Sequence, residues 1–225
     1  MDNIKKNREL LLNEINVCHL NSKFNRASFV KLVAVSKKQD EHKIDTAIQV
    51  GQCVFGENRV QEAQKRWEDR LKHYPDLELR LIGPLQTNKV KQALNLFDII
   101  ETIDREKIAN VIHSNFSDQV KTKSFFIQIN TGNESQKSGF LPLEADTFIK
   151  YCKNDLKLPI VGLMCIPPFD EEPAMHFSLL KKIAERNNLL ELSMGMSGDF
   201  KEGIKFGATS VRIGSKFFGQ RTILS

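Results

Sequence analysis

Two kinds of group in this sequence could do chemistry together. Lys37 closes the apolar run LVAVSK (Leu32–Lys37). A lysine held among apolar neighbours or near other cations favours its neutral amine, and a neutral amine adds to aldehydes. Ser197-Gly198-Asp199 and Gly214-Ser215 each follow a short apolar run and read as strands turning into helix N-termini. Backbone N–H groups bared at such turns bind phosphate, and serine hydroxyls add donors. Each feature alone has a plainer reading, a solvated lysine or an ordinary Ser cap with a Gly turn. Taken together they describe a ligand carrying both a carbonyl and a phosphate. Arg212 stands beside the second stretch. A guanidinium cannot readily give its proton to a pyridine nitrogen, so it would hydrogen-bond such a ring without making it a strong electron sink. Lys38 competes with Lys37. Adjacent strand residues point to opposite sides, so only one of the two can face the ligand, and spacing leaves the choice open.

The elements that must position these groups alternate along the chain. The runs with strand character are Phe29–Ser36, Cys53–Glu57, Leu79–Gly83, Phe97–Glu101, Ser124–Asn130, Pro159–Ile166, Glu191–Met196 and Ser210–Gly214. Several are nearly continuous apolar runs, as in parallel strands covered on both sides. Helical patterns separate them at Glu41–Val50, Asn58–Leu71, Thr87–Leu96, Asp104–Asn115, Leu143–Asn154, Glu172–Asn187 and Asp199–Phe206. Pro142 and Pro173 sit near helix starts, and Gly51 and Gly207 where C-terminal caps belong. A strict βα alternation predicts a parallel sheet. The first strand lacks the Gly-rich turn of a doubly wound sheet, and the strand count and the 225-residue length fit a (β/α)8 TIM barrel. The expectation is one α/β domain over 1–225, with residues 1–20 as an added N-terminal helix. In such a barrel the loops after the strands form the active face, and those after strands seven and eight commonly hold phosphate.

Composition narrows the function. Charged residues make up 27% and hydrophobic ones 40%, the profile of a soluble globular protein. No apolar run reaches the roughly 20 residues that span a bilayer, and the N-terminus lacks a signal peptide's apolar region and cleavage site, so a cytoplasmic location is expected. Cys18, Cys53, Cys152 and Cys165 lie far apart and the five histidines are scattered, which argues against a disulfide framework or metal site. The net charge of +5 is spread over helical stretches beside Glu and Asp rather than gathered into a basic stripe, so nucleic acid is not an expected partner.

These residues resemble the pyridoxal phosphate homeostasis protein family along the whole chain. The matching segments are LVAVSK, FGEN with VQE (Phe55–Asn58, Val60–Glu62), IGPLQTNK (Ile82–Lys89), GLMCIPP (Gly162–Pro168), MGMSGD (Met194–Asp199) and VRIGS with FFG (Val211–Ser215, Phe217–Gly219). The resemblance implies a barrel of the alanine racemase N-terminal-domain type and pyridoxal 5′-phosphate (PLP) as cofactor. It implies that Lys37, rather than Lys38, forms the internal aldimine and that Arg212 faces the pyridine nitrogen. It further implies that Ser197, Gly214 and Ser215 hold the phosphate, and that Asn58 and Met164 line the pocket. Members commonly carry an aromatic-His-Phe run before IGPLQ, where Leu79-Arg80-Leu81 stands here. They often have Thr-Lys-Pro after the first lysine, where this chain has Lys38-Gln39-Asp40, and a Tyr after FGEN, where it has Arg59. These departures leave the candidate site untouched and bear on any further contact made at the Lys-Pro and Tyr positions.

The resemblance implies a protein that holds PLP and supplies or buffers it, with PLP-dependent apo-enzymes as partners. The alternative is a PLP-dependent amino-acid racemase or a related enzyme of the same fold type. A two-base racemase needs a second acid/base on the other face of the ring, and in alanine racemase-like enzymes that is a Tyr working with a separate domain. The tyrosines here are Tyr74 and Tyr151. The first follows a helix toward the barrel's other end and the second lies within a helix, so no catalytic residue is assigned. The expected state is a monomer, free of membrane and nucleic acid.

Overall fold

The computed structural model describes residues 2–24 and 27–219. An N-terminal helix, α1 (Asp2–Leu20), precedes eight strands that close into a parallel barrel in sequence order. The strands are β1 (Lys31–Val35), β2 (Val54–Glu57), β3 (Glu78–Leu81), β4 (Ile99–Ile103), β5 (Ser124–Ile129), β6 (Ile160–Cys165), β7 (Glu191–Met196) and β8 (Ser210–Ile213). Between them run α2 (Glu41–Gln49), α3 (Val60–His73), α4 (Val90–Leu96, entered through a 3-10 turn at Thr87–Lys89) and α5 (Glu106–Asn115). They are followed by α6 (Ala145–Lys150, ending in a π turn at Tyr151–Asp155), α7 (Pro173–Arg186) and α8 (Phe200–Lys205), and α9 (Ser215–Phe218) follows β8. The (β/α)8 architecture with an added N-terminal helix is thus as expected. Pro173 opens α7, and Gly51 and Gly207 follow α2 and α8 at φ +85° and +102°. Strand ends differ by a residue or two. The largest shift is at β4: the Phe97 N–H bonds to Ala93 O and its carbonyl accepts from Thr122 Oγ1, so Phe97 finishes the preceding helix instead of starting a strand.

The pleat separates two interiors. Leu32 and Ala34, Leu79 and Leu81, Leu163 and Cys165, and Val211 and Ile213 point outward into the large apolar layer shared with the helices. The alternate positions point into the barrel, because side chains on a strand switch face at every residue. Val33, Val35, Ile82, Phe126 and Met164 are buried apart from that outer layer. With them stand the polar residues Arg80, Glu101, Ser193, Ser210 and Arg212, all nearly or fully buried. Helix α1 seals the outside by burying Ile4, Leu11 and Ile15, and Asn7 Nδ2 donates to Phe217 O at 3.0 Å.

Candidate functional site

Strand register brings the sequence-predicted residues to one end of the barrel. In the closed sheet β8 lies between β7 and β1. Arg212 is level with Met196 on one side and Val33 on the other, and Ile213 is level with Ala34. Ser197, Gly214 and Lys37 therefore leave three adjacent strands at the same C-terminal mouth. Lys37 does not end the strand itself. It sits in a turn two residues beyond Val35, on the inward phase of Val33 and Val35, and is half-buried. Lys38 is exposed at φ 56°, turned out by the left-handed backbone. Asn58 follows β2. Met164 is fully buried on β6, level with Gln128 and Ser193.

Arg212 is 4% exposed and held from two directions. Its Nη1 donates to Ser193 Oγ at 2.6 Å and its Nη2 to Cys165 O at 2.8 Å. Ser193 Oγ in turn donates to Glu101 Oε2 at 2.5 Å, and Glu101 Oε1 accepts from Arg80 Nη1 at 2.9 Å. Arg80 Nε donates to Glu78 Oε1 at 2.6 Å, and Lys31 Nζ reaches Glu78 Oε2 at 2.9 Å. An alternating series of charges thus climbs the barrel axis, with three cations against two carboxylates. Arg212, at the upper end, is bonded to a hydroxyl and a carbonyl rather than to a carboxylate. Its positive charge is therefore oriented without a direct carboxylate partner. Arg80 looks in sequence like a departure from the family pattern; in the fold it is the hub of this series. The signal for it was present, since Glu78, Arg80, Glu101, Ser193, Ser210 and Arg212 all fall on the inward phase of their strands.

Burial opposes charge on Arg80, but the attraction of Glu101 and Glu78 outweighs it and raises the guanidinium pKa. Burial likewise favours the protonated form of Glu78, yet Arg80 and Lys31 hold its carboxyl below the ordinary glutamate range. A carboxylate with a lowered pKa contributes stability above its unfolded pKa and loses it as pH falls through the folded one. The melting temperature should therefore hold from neutrality and decline from about pH 4.3 downward as Glu78 takes up its proton. Comparing melts of the wild type and Glu78→Gln against pH checks this, because the difference between them should shrink as pH falls below that point and vanish once pH is below the lowered folded pKa of Glu78. A constant difference from neutral to acid would remove Glu78 from the account.

A concavity at the C-terminal ends of β2, β3, β5 and β6 is lined by Asn58, Ile82, Gly83, Gln128, Asn130 and Lys137, and Lys37, Ser197, Arg212, Gly214 and Ser215 are not among its lining residues. Gly83 is required there: a Cβ would fall 2.3 Å from Asn58 O, so only glycine lets the loop after β3 lie against Asn58. Asn58 Oδ1 is buried with no hydrogen-bond partner among the described residues. A carbonyl oxygen so placed is a group awaiting a donor. Lys137 belongs to the loop after β5 and donates to Pro167 O at 3.2 Å. It carries no motif-level signal of its own and escaped the sequence reading. The tyrosines stand elsewhere. Tyr74 follows α3 and is exposed, while the Tyr151 hydroxyl bonds to Asn110 Oδ1 at 2.6 Å among the outer helices. The Cys165 thiol faces the outer core, where burial pushes its pKa up to about 12, so it is not a nucleophile at neutral pH.

Comparison with known proteins agrees with the fold. The family described as alanine racemase, N-terminal domain, matches residues 15–222. A pyridoxal phosphate homeostasis protein of Haemophilus influenzae is 37% identical over 229 aligned residues, covering 97% of this chain and 96% of its own. One from Vibrio alginolyticus is 38% identical over 202 residues, 85% of this chain and 87% of its own. Among solved structures, PipY of Synechococcus elongatus PCC7942, determined with PLP bound, superposes with a TM-score of 0.79 at 28% identity over 96% of this chain and 100% of that one. By fold, by family and by these relatives, the chain belongs to the alanine racemase N-terminal-domain family and, within it, to the pyridoxal phosphate homeostasis proteins.

Proposed function

We propose that this chain holds PLP covalently on Lys37 and serves as a carrier that buffers and supplies the cofactor. The observation that carries this reading is the register that brings Lys37, Gly214 and Ser197 to one mouth, just past the ends of β1, β8 and β7. Bound PLP supplies an aldehyde and an electron-withdrawing pyridine ring. Lys37 would hold the aldehyde end; Ser197, Gly214 and Ser215 would bind the phosphate; Arg212 would face the ring nitrogen; Asn58 and Met164 would line the ring's surroundings. The residues fit the group. A Cβ added at Gly198 would meet nothing within 4 Å, so that turn is open on its side-chain side. The cationic Arg212 complements a ring nitrogen lone pair, and the unpartnered Asn58 Oδ1 would accept a hydrogen bond from a donor on the ligand.

A carrier suits these groups better than a racemase. A guanidinium at the ring nitrogen hydrogen-bonds it without protonating it and so leaves the ring a weak electron sink. Neither Tyr74 nor Tyr151 is near the mouth to move a second proton. The partners in this reading are PLP itself and PLP-dependent apo-enzymes, the chain acting as a single-domain cytoplasmic monomer without nucleic acid. Among the described residues no helix is long and apolar enough to cross a membrane. The test is reductive trapping. Protein incubated with PLP and treated with borohydride should gain one phosphopyridoxyl mass, on the peptide containing Lys37. The same holo protein, given alanine in deuterated water, should leave the α-proton in place. A label on another lysine, or exchange at enzymatic rates, would overturn the reading.

A further inference from the structure

The turn that carries Lys37 is held from outside by one guanidinium. Arg66, on α3, is 13% exposed in its side chain. Its Nη1 donates to Ser36 O at 3.0 Å and its Nη2 to Gln39 O at 3.2 Å. These are the first and last residues of the turn, which also closes on itself through Gln39 N to Ser36 O at 3.1 Å. Arg66 is itself fixed by two carboxylates: Nη1 donates to Glu57 Oε1 at 3.0 Å and Nε to Glu41 Oε1 at 2.9 Å. Glu57 is fully buried, and the same oxygen accepts from Ser36 Oγ at 2.7 Å and Trp67 Nε1 at 3.1 Å. The turn needs such a hold, because Lys38 sits at φ 56°, a left-handed backbone region that strains a non-glycine residue.

We propose that Arg66, aligned by Glu57 and Glu41, is a positioning residue that fixes the turn of residues 36–39 so that the Lys37 amine meets a carbonyl at the barrel mouth. The inference rests on Lys37 being the attachment point. In the attachment the neutral amine nitrogen adds to the aldehyde carbon, the carbonyl oxygen leaves as water, and a C=N bond replaces C=O. That step depends on where the nitrogen stands, and misplacement by about 1 Å can slow such a reaction by about 100-fold. Phosphate binding does not depend on it. An arginine fork can span two carbonyls and a carboxylate at once, which a lysine cannot.

The experiment compares wild type, Arg66→Met and Arg66→Lys. Adduct formation with PLP is followed by absorbance and by quenching of Trp67, the chain's sole tryptophan. Binding of pyridoxine 5′-phosphate, which has no aldehyde, is measured in parallel. Arg66→Met should slow adduct formation about tenfold or more, while affinity for pyridoxine 5′-phosphate stays within about twofold. Arg66→Lys keeps a cation beside Glu57 and so preserves the fold even where Arg66→Met does not. It should show a smaller slowing, with a melting temperature close to wild type. Wild-type rates in both variants would overturn the proposal, as would a parallel loss of adduct rate and pyridoxine 5′-phosphate binding. Wild-type protein that traps PLP away from Lys37 would instead overturn the attachment point, and the positioning role with it.

Discussion

Protein carrying Lys37→Ala is expected to purify colourless and to gain no phosphopyridoxyl mass on borohydride treatment. Lys37 is half-buried in a turn beyond β1 and outside the hydrophobic core, so the fold should keep its stability to within about 1 kcal/mol. The phosphate and ring contacts assigned to Ser197, Gly214, Ser215 and Arg212 remain in the variant. PLP should therefore still bind, but reversibly and at least about 100-fold more weakly, a loss of about 2.7 kcal/mol or more. Pyridoxine 5′-phosphate should bind as it does to wild type. Titration calorimetry and intact mass together check both halves. An adduct that persists at unchanged stoichiometry would move the attachment to another lysine, with exposed Lys38 the first to examine.

The second large effect is on stability. Arg80→Met should destabilise the protein by about 3–5 kcal/mol. Arg80 is 1% exposed in its side chain and bridges Glu101, fully buried, to Glu78. Removing the guanidinium leaves Glu101 charged and enclosed, with Ser193 Oγ as its remaining hydrogen-bond donor among the described residues. For a chain of this size each kcal/mol shifts the melting temperature by about 2–4 °C, so a fall of about 6–20 °C is expected. Urea unfolding gives the free energy directly. Adding Glu101→Gln should recover part of the loss, because the stranded charge is then gone and the amide can still bond to Ser193. A loss under about 1 kcal/mol, or no recovery in the double variant, would show that the axial series contributes little.

Much of the fold was legible from local patterns. The alternation of short apolar runs with helical periodicity predicted eight strands in a parallel barrel, and eight strands close in sequence order. Boundaries were less legible. Phe97 is as apolar as a strand residue, and only its hydrogen bonds to Ala93 and Thr122 assign it to a helix end. The candidate site was legible as a set of residues at strand ends. Its supporting structure was not. Arg66 was one more cation on an amphipathic helix, and its contact with the lysine turn spans 30 residues of sequence. Lys137 and the open Asn58 Oδ1 became visible only once the mouth existed.

By itself the sequence determined the periodicities, the small residues after β7 and β8, and a lysine and an arginine at strand ends, because these depend on neighbours a few positions apart. The tertiary structure separated the paired lysines, leaving Lys37 half-buried and Lys38 exposed. Lys37 keeps the inward phase of β1 and Lys38 is turned out by a left-handed backbone that Arg66 helps to hold. It also decided that Arg80, Glu101, Ser193 and Arg212 form one series, although Glu101 and Ser193 lie 92 residues apart. Barrel closure sets those pairings. Once β8 pairs with β1, every inward side chain shares a narrow, water-poor axis, where an ion must find a counter-charge or a hydrogen bond to remain.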